Sequence, residues 1–170
     1  VGLPLAVEFS KIHKTIGFDK NNERIKELRN GIDKTLELTD EQLGEANLEY
    51  TVDSNKIAQC NIFIITVPTP VDKNNQPNMY PLESSSNTVG RLLKKDDIVI
   101  YESTVYPGAT EEFCVPILEK QSGLKYNKDF FCGYSPERIN PGDKKHSLKT
   151  IVKVTSGSND KTAEFVDKLY

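Results

Sequence analysis

The strongest constraint on the fold is a continuous apolar run near the middle of the chain. Residues 61–67 read NIFIITV, without the alternation of apolar and polar side chains that is typical of a strand with one solvated face. Such a run predicts a strand covered on both faces, and strands of this kind occur mostly in parallel sheets flanked by helices. Pro68 and Pro70 end the run, because proline cannot donate a hydrogen bond to a strand ladder.

The rest of the chain alternates between strand-like and helix-like segments. We expect further strands at residues 15–19, 50–52, 97–102, 130–134 and 151–155, and helices at residues 1–9, 21–29, 82–93, 108–121 and 160–170. Short helical pieces are expected at residues 39–42 and 54–59. This alternation predicts an α/β fold with a doubly wound, mainly parallel sheet of roughly five or six strands.

Composition excludes several classes of protein. With 170 residues, 36% of them hydrophobic and 28% charged, the chain has the composition of an ordinary globular protein, and one domain is the default expectation. A net charge of -3 argues against a nucleic-acid partner. The longest apolar run is too short to cross a bilayer, and no signal peptide is visible.

The three cysteines, Cys60, Cys114 and Cys132, lie far apart without CxxC spacing. We therefore predict neither a disulfide framework nor a metal site, and a reducing cytoplasm as the location.

Ligands of an open parallel sheet bind beyond the carboxyl ends of its strands, so residues that follow an apolar run are candidate site residues. Asp19 follows the strand at 15–19 and can accept both hydroxyl hydrogen bonds of an adenosine ribose, while its charge repels a 2′-phosphate. This favours NAD over NADP, with Arg24 along the adenine or the pyrophosphate. The alternative is that Asp19 caps the following helix. Gly2 suits either a phosphate-binding glycine turn or a helix start chosen for close packing.

Two more strand ends carry polar side chains. Val67, Pro68 and Thr69 lie in the segment TVPTP at residues 66–70, where the prolines on either side of Thr69 fix the backbone. The Thr69 hydroxyl can then contact a ribose or a phosphate, and the alternative is a rigid turn that only ends the strand. In the segment ESTVYPG at residues 102–108, Ser103 and Thr104 precede an expected glycine-started helix. There they either line a site or cap that helix.

The segment GYSPERINPGD at residues 133–143 is the most specific motif. Its two prolines restrict the backbone, so polar groups can be aimed at a ligand. Glu137 is a candidate general base if partly desolvated, and Arg138 a candidate ligand for a carboxylate or phosphate. The alternative is a solvated charged loop.

Together with VGLPLA at residues 1–6, GFD at 17–19 and TVPTP at 66–70, these motifs resemble the UDP-glucose/GDP-mannose dehydrogenase family. The similarity is greatest to its bacterial UDP-N-acetylhexosamine 6-dehydrogenase branch. The resemblance implies oxidation of a sugar C6 alcohol to a carboxylate by two NAD⁺, through an aldehyde and a cysteine thioester. It also implies that the cofactor contacts Gly2, Asp19, Arg24, Val67, Pro68, Thr69 and Thr104.

The same resemblance assigns roles around the sugar. Thr104 would help to position the hydrolytic water beside the nicotinamide, and Glu137 would be the base that activates this water. Arg138, Ile139, Asn140 and Pro141 would wall the sugar pocket. Pro141 stands where members acting on UDP-glucose usually carry a second glutamate, which favours UDP-N-acetylglucosamine or UDP-N-acetylgalactosamine. We expect Asp19, Thr104 and Glu137 to border one crevice.

Other functions stay open at this point. They are a UDP-glucose or GDP-mannose 6-dehydrogenase, a non-catalytic NAD-binding or nucleotide-binding module, and another NAD-linked dehydrogenase of β-hydroxyacids.

The resemblance further implies that residues 1–170 are a truncated NAD-binding domain. The first strand, most of the glycine-rich turn, the nucleophilic cysteine, the catalytic lysine, the central helix and the UDP-binding domain would lie elsewhere. We expect this chain alone to be inactive, and to pair with a second copy or be marginally stable. Cys114 and Cys132 are expected to be small buried hydrophobic residues. The full-length enzyme is expected to be a cytoplasmic homodimer or larger homo-oligomer that acts on a UDP-sugar for surface-polysaccharide synthesis, without nucleic-acid or membrane partners.

Overall fold

The computed structural model describes residues 2–137 and 152–170. They fall into two compact units, the first within residues 2–59 and the second within residues 60–137 and 152–170. Within these ranges no helix is long and apolar enough to cross a membrane.

The first unit contains one pair of parallel strands with helices around it. Its elements are α1 (Gly2–Ser10), β1 (Thr15–Phe18), α2 (Asn22–Arg29), α3 (Asp40–Gly44), β2 (Leu48–Thr51) and a 3-10 helix (Ser54–Gln59). Thr15 of β1 lies opposite Leu48 of β2, and Phe18 lies opposite Thr51. Ile25 and Leu28, three positions apart on α2, are both buried, as expected for the inner face of an amphipathic helix.

The short helix α3 begins at a capping box. The Thr39 hydroxyl accepts the Gln42 N–H, and the Gln42 side chain accepts the Thr39 N–H. The two bonds satisfy backbone donors that a helix start leaves unpaired, so the predicted capped helix at 39–42 is confirmed.

The second unit contains a four-stranded sheet. Its elements are β3 (Ile62–Ile65), α4 (Tyr80–Gly90), β4 (Ile98–Tyr101), a π-helical turn (Thr110–Cys114), α5 (Val115–Ser122), β5 (Phe131–Tyr134), β6 (Ser156–Gly157) and α6 (Asp160–Leu169). The strand order is β3-β4-β5-β6, with β3, β4 and β5 parallel and β6 antiparallel to β5. The predicted fold class, α/β with mainly parallel strands, is confirmed.

Full burial on both faces occurs in β4 rather than in the apolar run that predicted it. Val99, Ile100 and Tyr101 are consecutive and all at most 1% exposed. In β3 only Phe63 and Ile65 are buried, whereas Ile62 and Ile64 are partly exposed. The reason is position, since β3 forms one edge of this four-stranded sheet and β4 lies inside it.

The expected strand at 151–155 is wrong for residues 152–155, the part that the structure describes. These residues form no strand, and the short β6 follows them. Val152 and Val154 are exposed, whereas the Lys153 side chain is only 7% exposed and pairs with Glu102. Side chains in this segment do alternate between exposed and buried positions, but the buried position holds the lysine and the exposed positions hold the valines.

The expected helix at 108–121 begins later and is irregular. Gly108 has φ +89°, a left-handed conformation that a right-handed helix cannot include. The chain then forms the π-helical turn, in which the Val115 N–H bonds to the Thr110 carbonyl five residues back. Pro116 has no N–H to donate to the carbonyl of Glu112, which explains a widened turn before α5.

Gly157 provides a test of the packing between β6 and α6. A Cβ added there would lie 2.2 Å from the backbone nitrogen of Ala163 and 2.6 Å from the carbonyl carbon of Thr162. Because backbone must move to accept it, Gly157→Ala is expected to lower the free energy of unfolding by about 1–3 kcal/mol in urea denaturation. Gly44→Ala is the matched control, since an added Cβ there meets nothing within 4 Å. Equal stability of the two variants would contradict this packing.

Candidate functional site

In the second unit the carboxyl ends of β3, β4 and β5 lie side by side, and main-chain hydrogen bonding continues past them. The Glu102 N–H donates to the Ile65 carbonyl at 2.9 Å, and the Ser135 N–H donates to the Tyr101 carbonyl at 3.0 Å. The Glu137 N–H then donates to the Glu102 carbonyl at 3.3 Å. The segments that follow the three strands are therefore held together at one edge of the sheet, where parallel sheets bind ligands.

Two side-chain hydrogen bonds join the segment after β3 to the segment after β4. The Ser103 hydroxyl donates to the Val67 carbonyl at 2.6 Å, and the Thr69 hydroxyl donates to the Thr104 carbonyl at 2.6 Å. Four of the predicted cofactor residues, Val67, Pro68, Thr69 and Thr104, thus lie in segments that are directly connected.

The alternative that Ser103 or Thr104 caps a helix is wrong. The π-helical turn begins at Thr110, and its N-cap is Ala109, with no side-chain hydrogen bond to the helix start. Ser103 is buried and engaged with Val67, whereas Thr104 is exposed. Thr104 is therefore accessible to a ligand.

The bond from Thr69 restricts what its hydroxyl can bind. A hydroxyl has one proton to donate, and Thr69 donates it to the Thr104 carbonyl. The oxygen retains acceptor capacity. It therefore suits a ribose hydroxyl, which donates, better than a phosphate oxygen, which accepts.

Glu137 is held through its backbone and is partly buried. Glu102, whose carbonyl it contacts, is itself a buried carboxylate paired with Lys153. Sequence reasoning did not single out this pair. The predicted sugar-pocket residues Arg138, Ile139, Asn140 and Pro141 lie outside the described residues.

In the first unit Asp19 directly follows β1. Its N–H donates to the Thr51 carbonyl at the end of β2, at 3.2 Å, and its carboxylate accepts the Asn21 N–H at 2.8 Å. The alternative that Asp19 caps α2 is wrong, because the cap is Asn21, whose side chain accepts the N–H groups of Glu23 and Arg24. Asp19 is exposed, so its carboxylate is accessible to a ligand, and its role at the adenosine ribose stays a prediction. Gly2 is the first residue of α1, and both of its expected roles stay predictions.

Arg24 is held by a buried acid that sequence reasoning missed. Its Nη2 donates to Asp33 Oδ1 at 2.6 Å and to the Thr35 hydroxyl at 3.3 Å. Because Asp33 neutralises the guanidinium, contact along the adenine suits Arg24 better than contact with the pyrophosphate.

Asp33 also organises the loop that follows α2. Its side chain is 2% exposed and accepts the backbone N–H groups of Thr35, Glu37 and Leu38. Burial raises the pKa of Asp33, but the hydrogen bonds from Thr35, Arg24 and the backbone together outweigh it and lower the pKa to about 2.

Two of the three cysteines are unsuited to nucleophilic chemistry. Cys114 and Cys132 are 1% and 2% exposed, as expected for small buried hydrophobic residues. Burial raises the pKa of Cys114 to about 11 and also raises that of Cys132. Both thiols are therefore protonated at neutral pH, and the thiolate is the reactive form. Among residues 2–137 and 152–170, no three histidine, cysteine, aspartate or glutamate side chains cluster as a metal site would require.

Comparison with known proteins gives consistent matches over the whole chain. The family model for the UDP-glucose/GDP-mannose dehydrogenase family, NAD binding domain, matches residues 1–170. The UDP-N-acetyl-D-glucosamine 6-dehydrogenase of Pseudomonas aeruginosa is 61% identical over 171 residues, and Protein CapL of Staphylococcus aureus is 56% identical over 170. Both alignments cover 100% of this chain and 40% of the relative, so the chain spans about two fifths of the length of these relatives.

A solved structure of the UDP-D-ManNAc dehydrogenase from Pyrococcus horikoshii matches with a TM-score of 0.90 at 32% identity. The match covers 100% of this chain and 42% of that one. The predicted cofactor, NAD, agrees with the domain that the family model describes.

The depressed pKa of Asp33 predicts acid sensitivity. Its stabilising effect is fully present above the ordinary pKa of 3.8 and is lost as the pH falls towards about 2. Asp33→Asn is expected to lower the free energy of unfolding by about 1–2 kcal/mol at pH 7, with a smaller difference from the parent at pH 3.

Urea denaturation at the two pH values measures this effect. Glu164→Gln is the control, because Glu164 forms an exposed pair with Lys168 and such pairs contribute little. A loss for Asp33→Asn that is the same at both pH values would show that the charge of Asp33 is not its source.

Proposed function

We propose, since this chain belongs to the UDP-glucose/GDP-mannose dehydrogenase family, that it is the NAD-binding part of an enzyme that oxidises C6 of a UDP-N-acetylhexosamine to a carboxylate. The observation that carries the proposal is the connected edge of the second unit. There Thr69 bonds to Thr104, and the Glu137 backbone bonds to Glu102 two residues before Thr104. Cofactor-binding and water-activating groups would thus share one rigid frame.

The proposed reaction needs little from the protein beyond binding, orientation and proton transfer. Bound NAD⁺ supplies the hydride acceptor in each of two oxidations, so one alcohol, two NAD⁺ and one water give one carboxylate, two NADH and three protons. In the second half of the reaction, water attacks a thioester formed on a cysteine outside residues 1–170. Glu137 accepts the proton of that water. The sulfur leaves as the carboxylate forms.

The residues of this chain would bind the cofactor at its ribose groups. Asp19 accepts the hydrogen bonds of the adenosine ribose hydroxyls, and its charge repels a 2′-phosphate. Thr69 accepts a ribose hydroxyl, and Thr104 lies at the nicotinamide, where it helps to orient the water. Arg24, held by Asp33, lies along the adenine.

The acetamido sugar is supported by two observations. The relatives at 61% and 58% identity are UDP-N-acetyl-D-glucosamine 6-dehydrogenases, and Pro141 replaces the second glutamate typical of members acting on UDP-glucose. A non-catalytic nucleotide-binding module would have no use for a glutamate at position 137, whose backbone is held at the edge of the sheet. We further propose that the full-length enzyme works in the cytoplasm as a homo-oligomer.

The full-length protein is expected to form two NADH per sugar from UDP-N-acetylglucosamine or UDP-N-acetylgalactosamine, and less from UDP-glucose or GDP-mannose. Glu137→Gln is expected to lower kcat by roughly a hundred-fold or more, because it removes the base. Absorbance of NADH measures both. Glu83→Gln, an exposed glutamate on α4, is the control. NADH formation from none of these nucleotide sugars would refute the proposed function.

The cofactor role of Asp19 has a separate test. Asp19→Asn keeps the size of the side chain and removes the charge that repels a 2′-phosphate. It is expected to raise the KM for NAD⁺ roughly ten-fold and to narrow the preference for NAD⁺ over NADP⁺. Steady-state kinetics with both cofactors measures this, and unchanged kinetics would remove Asp19 from the cofactor site.

A further inference from the structure

A buried lysine lies against the segment that carries Glu137. The Lys153 side chain is 7% exposed, and its Nζ donates to Oε1 of Glu102 at 3.2 Å, while Glu102 is 0% exposed. The same Nζ lies 3.5 Å from the carbonyl oxygen of Pro136, the residue before Glu137. Lysine is almost never buried without a partner. This ammonium group therefore joins two segments that are far apart in the sequence.

The backbone makes further ties in the same place. Ser135 donates its N–H to Tyr101, and Glu137 donates its N–H to Glu102. Lys153 contacts the carbonyl between these two donors and the side chain of Glu102. Residues 135–137 are thus held through two N–H groups and one carbonyl group. Only the contact at the carbonyl depends on a side chain of residues 152–155.

Lys153 is one of two groups in the cluster that favour the charged form of Glu102. Burial raises the pKa of Glu102, and the Tyr170 hydroxyl and the Lys153 ammonium oppose that rise, whereas the charge of Glu137 adds to it. The Lys153 Nζ also lies 4.9 Å from the centre of the Tyr170 ring, within the range of a cation–π contact. Loss of the ammonium would leave one acid buried close to another.

We propose that Lys153 is a positioning residue: through Glu102 and the Pro136 carbonyl it fixes the backbone of residues 135–137, and so aims the Glu137 carboxylate at the reacting centre. This rests on the proposed function, in which Glu137 activates water. A displacement of about 1 Å in such a group is enough to cost roughly a hundred-fold in rate.

The test uses the full-length enzyme with NAD⁺ and UDP-N-acetylglucosamine or UDP-N-acetylgalactosamine, whichever sugar it oxidises faster. Lys153→Met keeps the length of the side chain and removes the charge. We expect kcat to fall roughly ten- to hundred-fold, with the KM for each substrate changing less than about three-fold. Lys168→Met is the matched control, since Lys168 is 72% exposed on α6, and its kinetics are expected to equal those of the parent.

A positioning role and a merely structural role differ in which step of the reaction slows. Only a positioning role slows the hydrolysis step selectively. If Glu137 is misaligned, the two oxidations still proceed and hydrolysis lags. Rapid mixing is then expected to show a burst approaching two NADH per active site followed by a slow steady state, and mass spectrometry a covalent thioester. A variant that only loses folded enzyme would lower the burst and the steady rate together, and this result would overturn the proposal.

A second variant separates positioning from charge burial. Lys153→Met combined with Glu102→Met replaces the ion pair by apolar side chains, which often restores stability. We expect the melting temperature to recover and kcat to stay low. Recovery of kcat as well would show that Lys153 only neutralises Glu102. Failure of both variants to fold would assign Lys153 to folding alone. Either result would overturn the proposal.

The proposed function and this inference fail differently. If Glu137→Gln is fully active, Glu137 is not the general base, and that part of the proposed function is wrong. If Glu137→Gln is inactive and Lys153→Met has the kcat and KM of the parent, only the positioning role of Lys153 is wrong.

Discussion

The site in the second unit depends on the parallel ladder of β3, β4 and β5 and its continuation beyond the strands. Ile62, Ile98 and Phe131 are in register at one end, and Ile65, Tyr101 and Tyr134 at the other. The main-chain bonds of Glu102, Ser135 and Glu137 then extend the same register into the segments that carry the chemistry. The apolar strands thereby determine where the polar groups lie, and the polar groups themselves need not contribute stability.

Two buried acids show how the number of donors decides the state of a carboxyl group. Asp33 receives two side-chain donors and three backbone N–H groups, and its pKa falls to about 2. Glu102 is buried more deeply among fewer donors, and its pKa rises despite Lys153 and Tyr170. Asp33 therefore acts as a fixed anion that shapes a loop. Glu102 pairs with a cation 51 positions along the chain, Lys153, which also contacts the segment that ends at Glu137.

The positions of most strands could be predicted from local sequence. The contacts between side chains far apart in the chain could not, because they depend on the folded arrangement. The apolar runs located β1, β3, β4 and β5, and Thr39 with Gln42 located α3. The sequence also predicted that the motifs after β3, β4 and β5 lie together, because the carboxyl ends of parallel strands lie at the same edge of a sheet. The contacts of Lys153 with Glu102 and of Arg24 with Asp33 join residues 51 and 9 positions apart. Nothing in the local sequence around Lys153 or Arg24 identifies its partner. The alternation in residues 152–155 therefore predicts a strand, whereas the structure has a buried lysine there without a strand.

The last strand of the four-stranded sheet is only two residues long, and its Gly157 packs directly against α6. An exposed edge of a sheet offers unpaired donors and acceptors to any extended peptide, which makes long edges templates for aggregation. Here β5 is followed at the edge by a strand of only two residues, which packs against α6. Among the described residues, this edge therefore offers an extended peptide only two residues of strand to pair with.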